Sequence, residues 1–274
     1  TRLVGSEMCI RDSQTPDYIL PATACILQAK LGLERSCMAM DINLGCSGWV
    51  YGLSVLSSLM QTGNIKKAIL LAGDARKQAK EELDQLFGYA CTATALEYSK
   101  EAKPFYFDLG TDGTGYDAII RPGGGCRNQF NEDSLKLELC EDGRKRHAIQ
   151  TRMKGMDVFA FGITTAPKSI KKLTANYEMD YTSFDYVILH QANYKMTETI
   201  RKKLKLDAEK MPYSMLHFGN TSSASIPLTI VTQLKGKIED KPTKIIGCAF
   251  GVGLSWGTVA FETEHLLISE LVEV

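Results

Sequence analysis

The 274-residue chain is 44% hydrophobic and 23% charged, which is enough apolar sequence for a large α/β core or two fused half-domains. Lys plus Arg and Asp plus Glu both number 32, so the charge balance indicates no nucleic acid and no anionic membrane as a partner. No apolar run reaches the roughly 18 residues that a membrane-spanning helix needs.

Three of the eight cysteines, Cys25, Cys37 and Cys248, lie within apolar runs. In such a context cysteine behaves as a small buried hydrophobe rather than as half of a disulfide. We therefore expect free thiols and a reducing, cytoplasmic location, with no metal site.

The N-terminal residues 3–12 read LVGSEMCIRD and resemble the translation of a sequencing adapter. We exclude residues 1–13 from the fold prediction as a non-native segment. Native sequence is then expected to begin near Gln14, with an upstream segment missing.

From Gln14 onward, short apolar runs alternate with amphipathic stretches, which favours α/β layers over a helical bundle or a β-sandwich. The pattern first predicts a helix over 22–31, a strand over 37–42, a helix over 48–61 and a strand over 67–72. It then predicts a helix over 158–173, a strand over 186–189, helices over 195–204 and 222–234, and a strand over 245–250.

The two halves of the chain repeat one another in outline. Each has a mostly apolar helix, a glycine, a strand and a second strand, the first set beginning after Cys46 and the second at Asn220. Any α/β chain can show such spacing by coincidence. The match nevertheless places Cys46 and Asn220 at the same point of each half, where a buried helix begins.

Residues 41–49 read DINLGCSGW and predict a buried strand, a tight turn and a helix that begins near Cys46. Unpaired backbone N–H groups and the helix dipole at that point would favour the thiolate, lowering a pKa that is about 8.5 in free cysteine. A thiolate can accept an acyl group from a thioester. A buried structural cysteine is the alternative, but it would not need Gly45 and Gly48 on both sides.

His190 ends an apolar strand in VILHQAN, residues 187–193, where an open α/β sheet places functional side chains. The pKa of an unperturbed imidazole is about 6.5, so His190 can be a neutral hydrogen-bond donor. Asn220 follows a glycine turn in HFGNTSSASIP, residues 217–227, ahead of a helix. A packed structural histidine and a helix cap are the alternatives for these two residues.

Four segments carry a family resemblance: GCSG at 45–48, HQAN at 190–193, GNTSSASIP at 219–227 and FGVGLSWG at 250–257. In this order they resemble the signatures of 3-oxoacyl-(acyl-carrier-protein) synthase III, a family of the thiolase superfamily. The resemblance implies an α/β, thiolase-like fold of two similar halves in α-β-α-β-α layers, and a homodimer. Residues 14–125 would form the N-terminal half, without its first strand and helix, and residues 126–274 the C-terminal half.

The resemblance also implies an acyltransferase mechanism. Cys46 would take an acyl primer from acyl-CoA, with the backbone N–H groups of Cys46 and Val252 as the oxyanion hole. His190 and Asn220 would stabilise the enolate formed when malonyl-(acyl-carrier protein) loses carbon dioxide, and condensation would give 3-oxoacyl-(acyl-carrier protein). Acyl-CoA and the acyl carrier protein are the implied partners in starting fatty acid or related acyl-chain synthesis. The implied chemistry needs no permanently bound cofactor.

One departure from the family and three alternatives remain open. The family's Asp-Gly or Asp-Ala-Gly after Phe-Gly is replaced by residues 89–92, YACT, which puts a buried turn in question. Within the same fold, the chain could be a pathway-specific acyltransferase that does not decarboxylate, or an enzyme of the hydroxymethylglutaryl-CoA synthase or chalcone synthase type. The order Cys, His, Asn is also that of papain-like hydrolases. A non-catalytic partner subunit would lack the cysteine nucleophile.

Overall fold

A computed structural model describes residues 7–74 and 86–273. The strands are β1 (Glu7–Asp12), β2 (Met38–Ile42), β3 (Lys67–Asp74), β4 (Ala90–Glu97), β5 (Tyr106–Thr111), β6 (Ile119–Ile120), β7 (Glu138–Leu139), β8 (Lys145–Arg146), β9 (Arg152–Met153), β10 (Tyr186–Leu189), β11 (Thr243–Gly251) and β12 (Ser255–Thr263). The helices are α1 (Thr23–Lys30), α2 (Gly48–Gln61), α3 (Gly155–Asn176), α4 (Tyr194–Leu204), α5 (Met215–Phe218) and α6 (Ser225–Thr229).

The first sheet has the strand order β2-β1-β3-β4. β1 runs parallel to both of its neighbours, β2 and β3, and β4 is antiparallel to β3. The exclusion of residues 1–13 from the fold is therefore wrong for residues 7–12, which form an internal strand; residues 1–6 lie outside the described part of the chain.

β1 buries two acidic side chains. Glu7 and Asp12 are 2% and 0% exposed. Both carboxylate oxygens of Glu7 and Oδ2 of Asp12 have no hydrogen-bond partner in the described residues. Burial raises the pKa of both carboxyl groups. An internal strand of this sheet normally carries apolar residues, because an unpartnered buried carboxylate costs free energy.

The second sheet has the strand order β10-β11-β12-β5. β10 is parallel to β11, and β12 pairs antiparallel with both β11 and β5. Since β5 belongs to this sheet, the division between the two sheets falls between Glu97 and Tyr106. The predicted boundary between residues 125 and 126 lies further along the chain.

Two helical segments lie between the sheets. One is α2; the other is α6 together with a π-helical turn, Ile230–Leu234. Their apolar side chains form one buried cluster with residues from both sheets, among them Trp49, Leu53, Leu70, Ile188, Ile226, Ile230 and Val259. The alternate residues of β10 and β11 face a second cluster with α3 and α4, and α1 packs on β1 and β2. The predicted α/β fold with α-β-α-β-α layers is confirmed.

The predicted repeat corresponds to matching structural units. α2 leads to the antiparallel pair β3–β4, and the α6 segment leads to the antiparallel pair β11–β12. The helix predicted over 222–234 differs in detail, because it starts with a 3-10 turn at Ser222–Ala224 and ends in the π turn. Pro227 within this segment has no N–H to donate, and Ser222 has a φ of 54°.

The departure at residues 89–92 falls at the start of β4, which pairs regularly with β3 from Ala90 onward. Tyr89 and Cys91 are exposed. In the described residues, no helix combines the length and apolarity needed to cross a membrane.

Candidate active site

Cys46 lies in the turn between β2 and α2. The turn is closed by a 2.8 Å hydrogen bond from the Gly48 N–H to the Gly45 carbonyl. The Cys46 side chain packs directly on Gly251 at the end of β11. A Cβ added at Gly251 would lie 2.7 Å from the Cys46 sulfur, so only glycine leaves room for the thiol.

Two buried serines fix the turn after β11 against the start of α2. The hydroxyls of Ser47 and Ser255 are 2.7 Å apart, and the Ser255 hydroxyl donates to the Val252 carbonyl at 2.6 Å. The backbone N–H groups of Val252 and Cys46 both hydrogen-bond to the Cys46 sulfur. The two N–H groups predicted for the oxyanion hole therefore converge on the thiol.

Burial raises the pKa of the Cys46 thiol to about 11, and the negative charge of Asp74 acts in the same direction. The hydrogen bonds from the two backbone N–H groups and from the Ser222 hydroxyl oppose this shift without reversing it. The prediction that the helix start would lower this pKa is wrong, because the loss of solvation outweighs the backbone donors. With this pKa, the Cys46 side chain is a thiol at neutral pH.

His190 directly follows β10 and is 2% exposed. Its backbone N–H donates to the Cys248 carbonyl at 2.8 Å, and its ring stands edge-on to Phe250 with centroids 5.8 Å apart. Its Nδ1 lies 2.8 Å from the Ser225 hydroxyl. Burial lowers the pKa of His190 to about 4, so the ring is neutral at working pH, as the sequence predicted.

Asn220 is held by a short parallel bridge to Phe87. Its N–H donates to the Leu86 carbonyl at 2.8 Å, and the Gly88 N–H donates to the Asn220 carbonyl at 3.0 Å. This approach requires glycine at position 88, since a Cβ there would lie 1.8 Å from the Phe218 carbonyl oxygen. The Asn220 side-chain oxygen accepts from the Ser222 N–H at 3.0 Å, which leaves its NH2 group for a ligand.

Ser222 connects the three predicted residues. Its N–H binds Asn220, its hydroxyl reaches the Cys46 sulfur and its carbonyl acts on the His190 ring as an acceptor. The structure thus brings Cys46, His190 and Asn220 to one place, at the starts of the two inner helical segments. In the described residues no group of three or more His, Cys, Asp or Glu side chains could hold a metal ion.

The sequence analysis missed three residues of this site: Ser222, Ser225 and Gly251. The serines stand in a run of small residues, GNTSSAS, where a helix cap explains any one hydroxyl. Gly251 follows an apolar strand, where glycine is ordinarily a turn residue. The available signal was the density of small polar residues in an otherwise apolar segment.

Profiles of two families match the chain. The profile described as 3-oxoacyl-(acyl-carrier-protein) synthase III matches residues 40–113, which include Cys46. The profile of the C-terminal domain of the same enzyme matches residues 174–263, which include His190, Asn220 and Val252. The beta-ketoacyl-(acyl-carrier-protein) synthase III of Clostridium tetani is 32% identical over 88% of this chain and 73% of its own length.

The chain belongs to the 3-oxoacyl-(acyl-carrier-protein) synthase III family. A solved 3-oxoacyl-(acyl-carrier-protein) synthase from Burkholderia xenovorans superimposes with a TM-score of 0.87 at 36% identity, over 98% of this chain and 77% of that one. The synthase III of Pseudomonas aeruginosa gives a TM-score of 0.80 at 27% identity, over 96% of this chain and 78% of that one. Membership of this family excludes a papain-like hydrolase.

Proposed function

We propose that the chain is an acyltransferase that moves an acyl primer from acyl-CoA to Cys46 and condenses it with malonyl-(acyl-carrier protein). The product is a 3-oxoacyl-(acyl-carrier protein), the first intermediate of a fatty acid or related acyl chain. The observation that carries the proposal is the convergence of a thiol, two backbone N–H groups, a neutral imidazole and an amide around Ser222. This set matches two successive thioester reactions.

In the first reaction the Cys46 sulfur attacks the carbonyl carbon of acyl-CoA. The carbonyl oxygen becomes negative, and the N–H groups of Cys46 and Val252 are placed to stabilise it. The carbon–sulfur bond to CoA then breaks, and the Cys46 proton ends on the departing CoA thiol. One thioester replaces another, so the exchange costs little free energy.

In the second reaction the malonyl thioester loses carbon dioxide, and the electron pair of the broken carbon–carbon bond moves into an enolate. The enolate oxygen receives hydrogen bonds from the His190 ring and the Asn220 NH2 group. The enolate carbon then attacks the acyl group, and the Cys46 sulfur leaves. A neutral His190 suits this role, because its low pKa keeps it a hydrogen-bond donor and makes it a poor base.

The basic face of α4 is the proposed contact for the carrier protein. α4 begins at Tyr194, four positions after His190, and its Lys195, Lys202 and Lys203 are exposed or partly exposed. These cations would meet an acidic carrier beside the entrance to the site, in a contact that weakens with salt.

We also propose a homodimer, because the structure has an unpaired strand edge and exposed apolar side chains. β4 has one neighbour, β3, among the described strands, so its other edge is unpaired. Phe87 and Tyr89, just before β4, are each 42% exposed. Ile19 and Leu20, in the loop before α1, are 88% and 83% exposed, an apolar surface that a second subunit would cover. Light scattering of the purified chain tests this: a monomer mass at micromolar concentration contradicts it.

The proposed chemistry uses thiols and thioesters and requires no permanent cofactor. All eight cysteines lie in the described part of the chain as free thiols. Free thiols, one of them catalytic in the proposed reaction, suit a reducing cytoplasm, where we place the enzyme.

The deciding test supplies an acyl-CoA with and without malonyl-(acyl-carrier protein) and identifies products by mass spectrometry. We expect a 3-oxoacyl-(acyl-carrier protein) two carbons longer than the primer, formed only when the malonyl carrier is present. Transfer of the acyl group to a carrier without release of carbon dioxide would instead support a non-decarboxylating acyltransferase.

A further inference from the structure

The ring of His190 has a buried hydroxyl partner that the proposed reaction does not use. Ser225 is the first residue of α6, and its hydroxyl lies 2.8 Å from Nδ1 of His190. Ser225 is 0% exposed and His190 is 2% exposed, so solvent does not compete for this bond.

The direction of this hydrogen bond follows from the number of partners. A neutral imidazole carries one N–H, on either Nδ1 or Nε2. Within the described residues, His190 Nδ1 is the one hydrogen-bond partner of the Ser225 hydroxyl. If Nδ1 carried the proton, Ser225 would accept it and its own buried O–H would have no acceptor, which is unfavourable. If Ser225 donates to Nδ1, both groups are satisfied and the ring proton is on Nε2, where the Ser222 carbonyl or a substrate oxygen can accept it.

We propose that Ser225 is a positioning residue that holds His190 in the tautomer with its proton on Nε2. That tautomer presents Nε2–H to the malonyl thioester oxygen, whereas the other would present a lone pair and repel the developing enolate. The inference rests on the proposed function, in which His190 serves as a donor. Ser225 touches no reacting atom and acts through His190 alone.

The placement of Ser225 predicts a selective effect on the two reactions. Acyl transfer to Cys46 uses the N–H groups of Cys46 and Val252, which do not depend on the His190 tautomer. Decarboxylation depends on the Nε2 proton. Loss of the Ser225 hydroxyl should therefore slow decarboxylation and leave acylation almost unchanged.

The test compares Ser225→Ala with Thr229→Val in the full chain. Thr229 is a matched control because it is 0% exposed and its hydroxyl donates at 2.7 Å to the Ser225 carbonyl, one turn further along. Thr229→Val removes a buried hydroxyl from the same segment without removing a partner of His190. Ser225→Cys, with a weaker donor, should give an intermediate result and serves if the alanine variant does not fold.

The primary readout is the 15N NMR spectrum of the imidazole nitrogens in the unliganded protein. The chain has four histidines, so the His190 signals are assigned by their loss in His190→Asn. We expect an Nε2–H tautomer in the unmodified chain and in Thr229→Val, and a mixed or Nδ1–H population in Ser225→Ala. We also expect Ser225→Ala to lower decarboxylation about tenfold to a hundredfold, with acylation within about twofold of normal.

An Nδ1–H tautomer in the unmodified chain would overturn the inference, as would an unchanged tautomer in Ser225→Ala. Equal loss of both reactions in Ser225→Ala would also overturn it, since that indicates general disruption of the site. If the unmodified chain acylates Cys46 but never decarboxylates a malonyl thioester, the proposed function fails, and the spectrum still decides the tautomer.

Discussion

The site has a thiol end, formed by Cys46 at the start of α2, and a donor end, formed by His190 after β10 and the segment after Asn220; the two ends differ in regularity and in what burial does to their functional groups. α2 is a regular 14-residue helix that begins beside Cys46, whereas the segment after Asn220 passes from a 3-10 turn through α6 into a π turn. Burial raises the pKa of Cys46 to about 11 and lowers that of His190 to about 4. Both shifts favour the neutral form, which hinders a nucleophile and suits a hydrogen-bond donor.

This contrast indicates which end of the site serves which of the two proposed reactions. The turn before α2 and the turn after β11 supply the backbone N–H groups of Cys46 and Val252 to the sulfur, and in the proposed reaction these groups also bind the acyl oxygen. The irregular segment lets Ser222 point its N–H, hydroxyl and carbonyl towards three different residues, which a uniform helix would not allow. We therefore propose that the thiol end serves acyl exchange and that the donor end stabilises the enolate.

The largest effect expected from breaking the donor end is on decarboxylation. His190→Ala and Asn220→Ala should each lower it about a hundredfold to a thousandfold, since each removes one donor from the enolate oxygen. Acylation of Cys46 should persist in both variants. Asn193→Ala is the control. It also removes a side-chain amide, but this amide caps α4 by accepting from the Met196 N–H at 2.9 Å. Single-turnover assays of each reaction measure the difference, and a parallel loss of acylation would contradict the division.

Gly251→Ala tests the thiol end. The added methyl would lie 2.7 Å from the Cys46 sulfur and 2.9 Å from its Cβ, so the thiol must move away from the Val252 N–H. We expect acylation to fall about tenfold to a hundredfold, because small displacements of reacting groups are costly. Gly125→Ala is the control, since a Cβ there meets nothing within 4 Å. Equal acylation rates in the two variants would count against the placement of Cys46.

The opposite pKa shifts predict that reactivity at the thiol end depends on pH and that catalysis at the donor end does not. With a thiol pKa of about 11, alkylation of Cys46 by iodoacetamide should rise about tenfold per pH unit from pH 7 to pH 10. His190 is neutral down to about pH 4, so its titration should leave decarboxylation unchanged between pH 6 and pH 8. Peptide mapping of the alkylated site gives the first profile. A plateau near neutral pH would show a thiolate and contradict the shift.

The smallest effect concerns β1. Glu7→Leu should stabilise the fold, because it removes a buried carboxylate without hydrogen-bond partners from an internal strand. The folded-state pKa of Glu7 is raised, so its cost to stability grows as pH rises above the ordinary carboxyl range, and the gain should be larger at pH 8 than at pH 4. Urea unfolding measures both. Exposed Glu132→Leu is the control, and equal shifts in the two variants would contradict the role of burial.

Hydrophobic periodicity was sufficient for the layers, and the predicted bounds of α2 and β10 match the structure. Cys46, His190 and Asn220 could be predicted because each stands where an apolar element begins or ends. The hydrogen-bond partners of His190 could not be predicted, because the contact with Ser225 joins residues that are 35 positions apart in the sequence. The direction of the pKa shift at Cys46 depends on how deeply its turn is buried, and the local sequence does not encode that burial.

The strand at residues 7–12 shows a different limit. The fold prediction excludes these residues because residues 3–12 resemble a translated sequencing adapter, yet β1 pairs with β2 on one side and β3 on the other. Backbone hydrogen bonds from both neighbours are available to whatever sequence occupies this place. Position in the sheet, rather than side-chain pattern, explains this strand.

The most direct test of the central claim is to incubate the chain and Cys46→Ala with a panel of acyl-CoAs and to map any added mass to a peptide. The account predicts an acyl adduct on the peptide containing Cys46, absent from Cys46→Ala, that malonyl-(acyl-carrier protein) discharges as a 3-oxoacyl product. A folded chain that forms no adduct on Cys46 with any primer would contradict the assignment of Cys46 as the nucleophile.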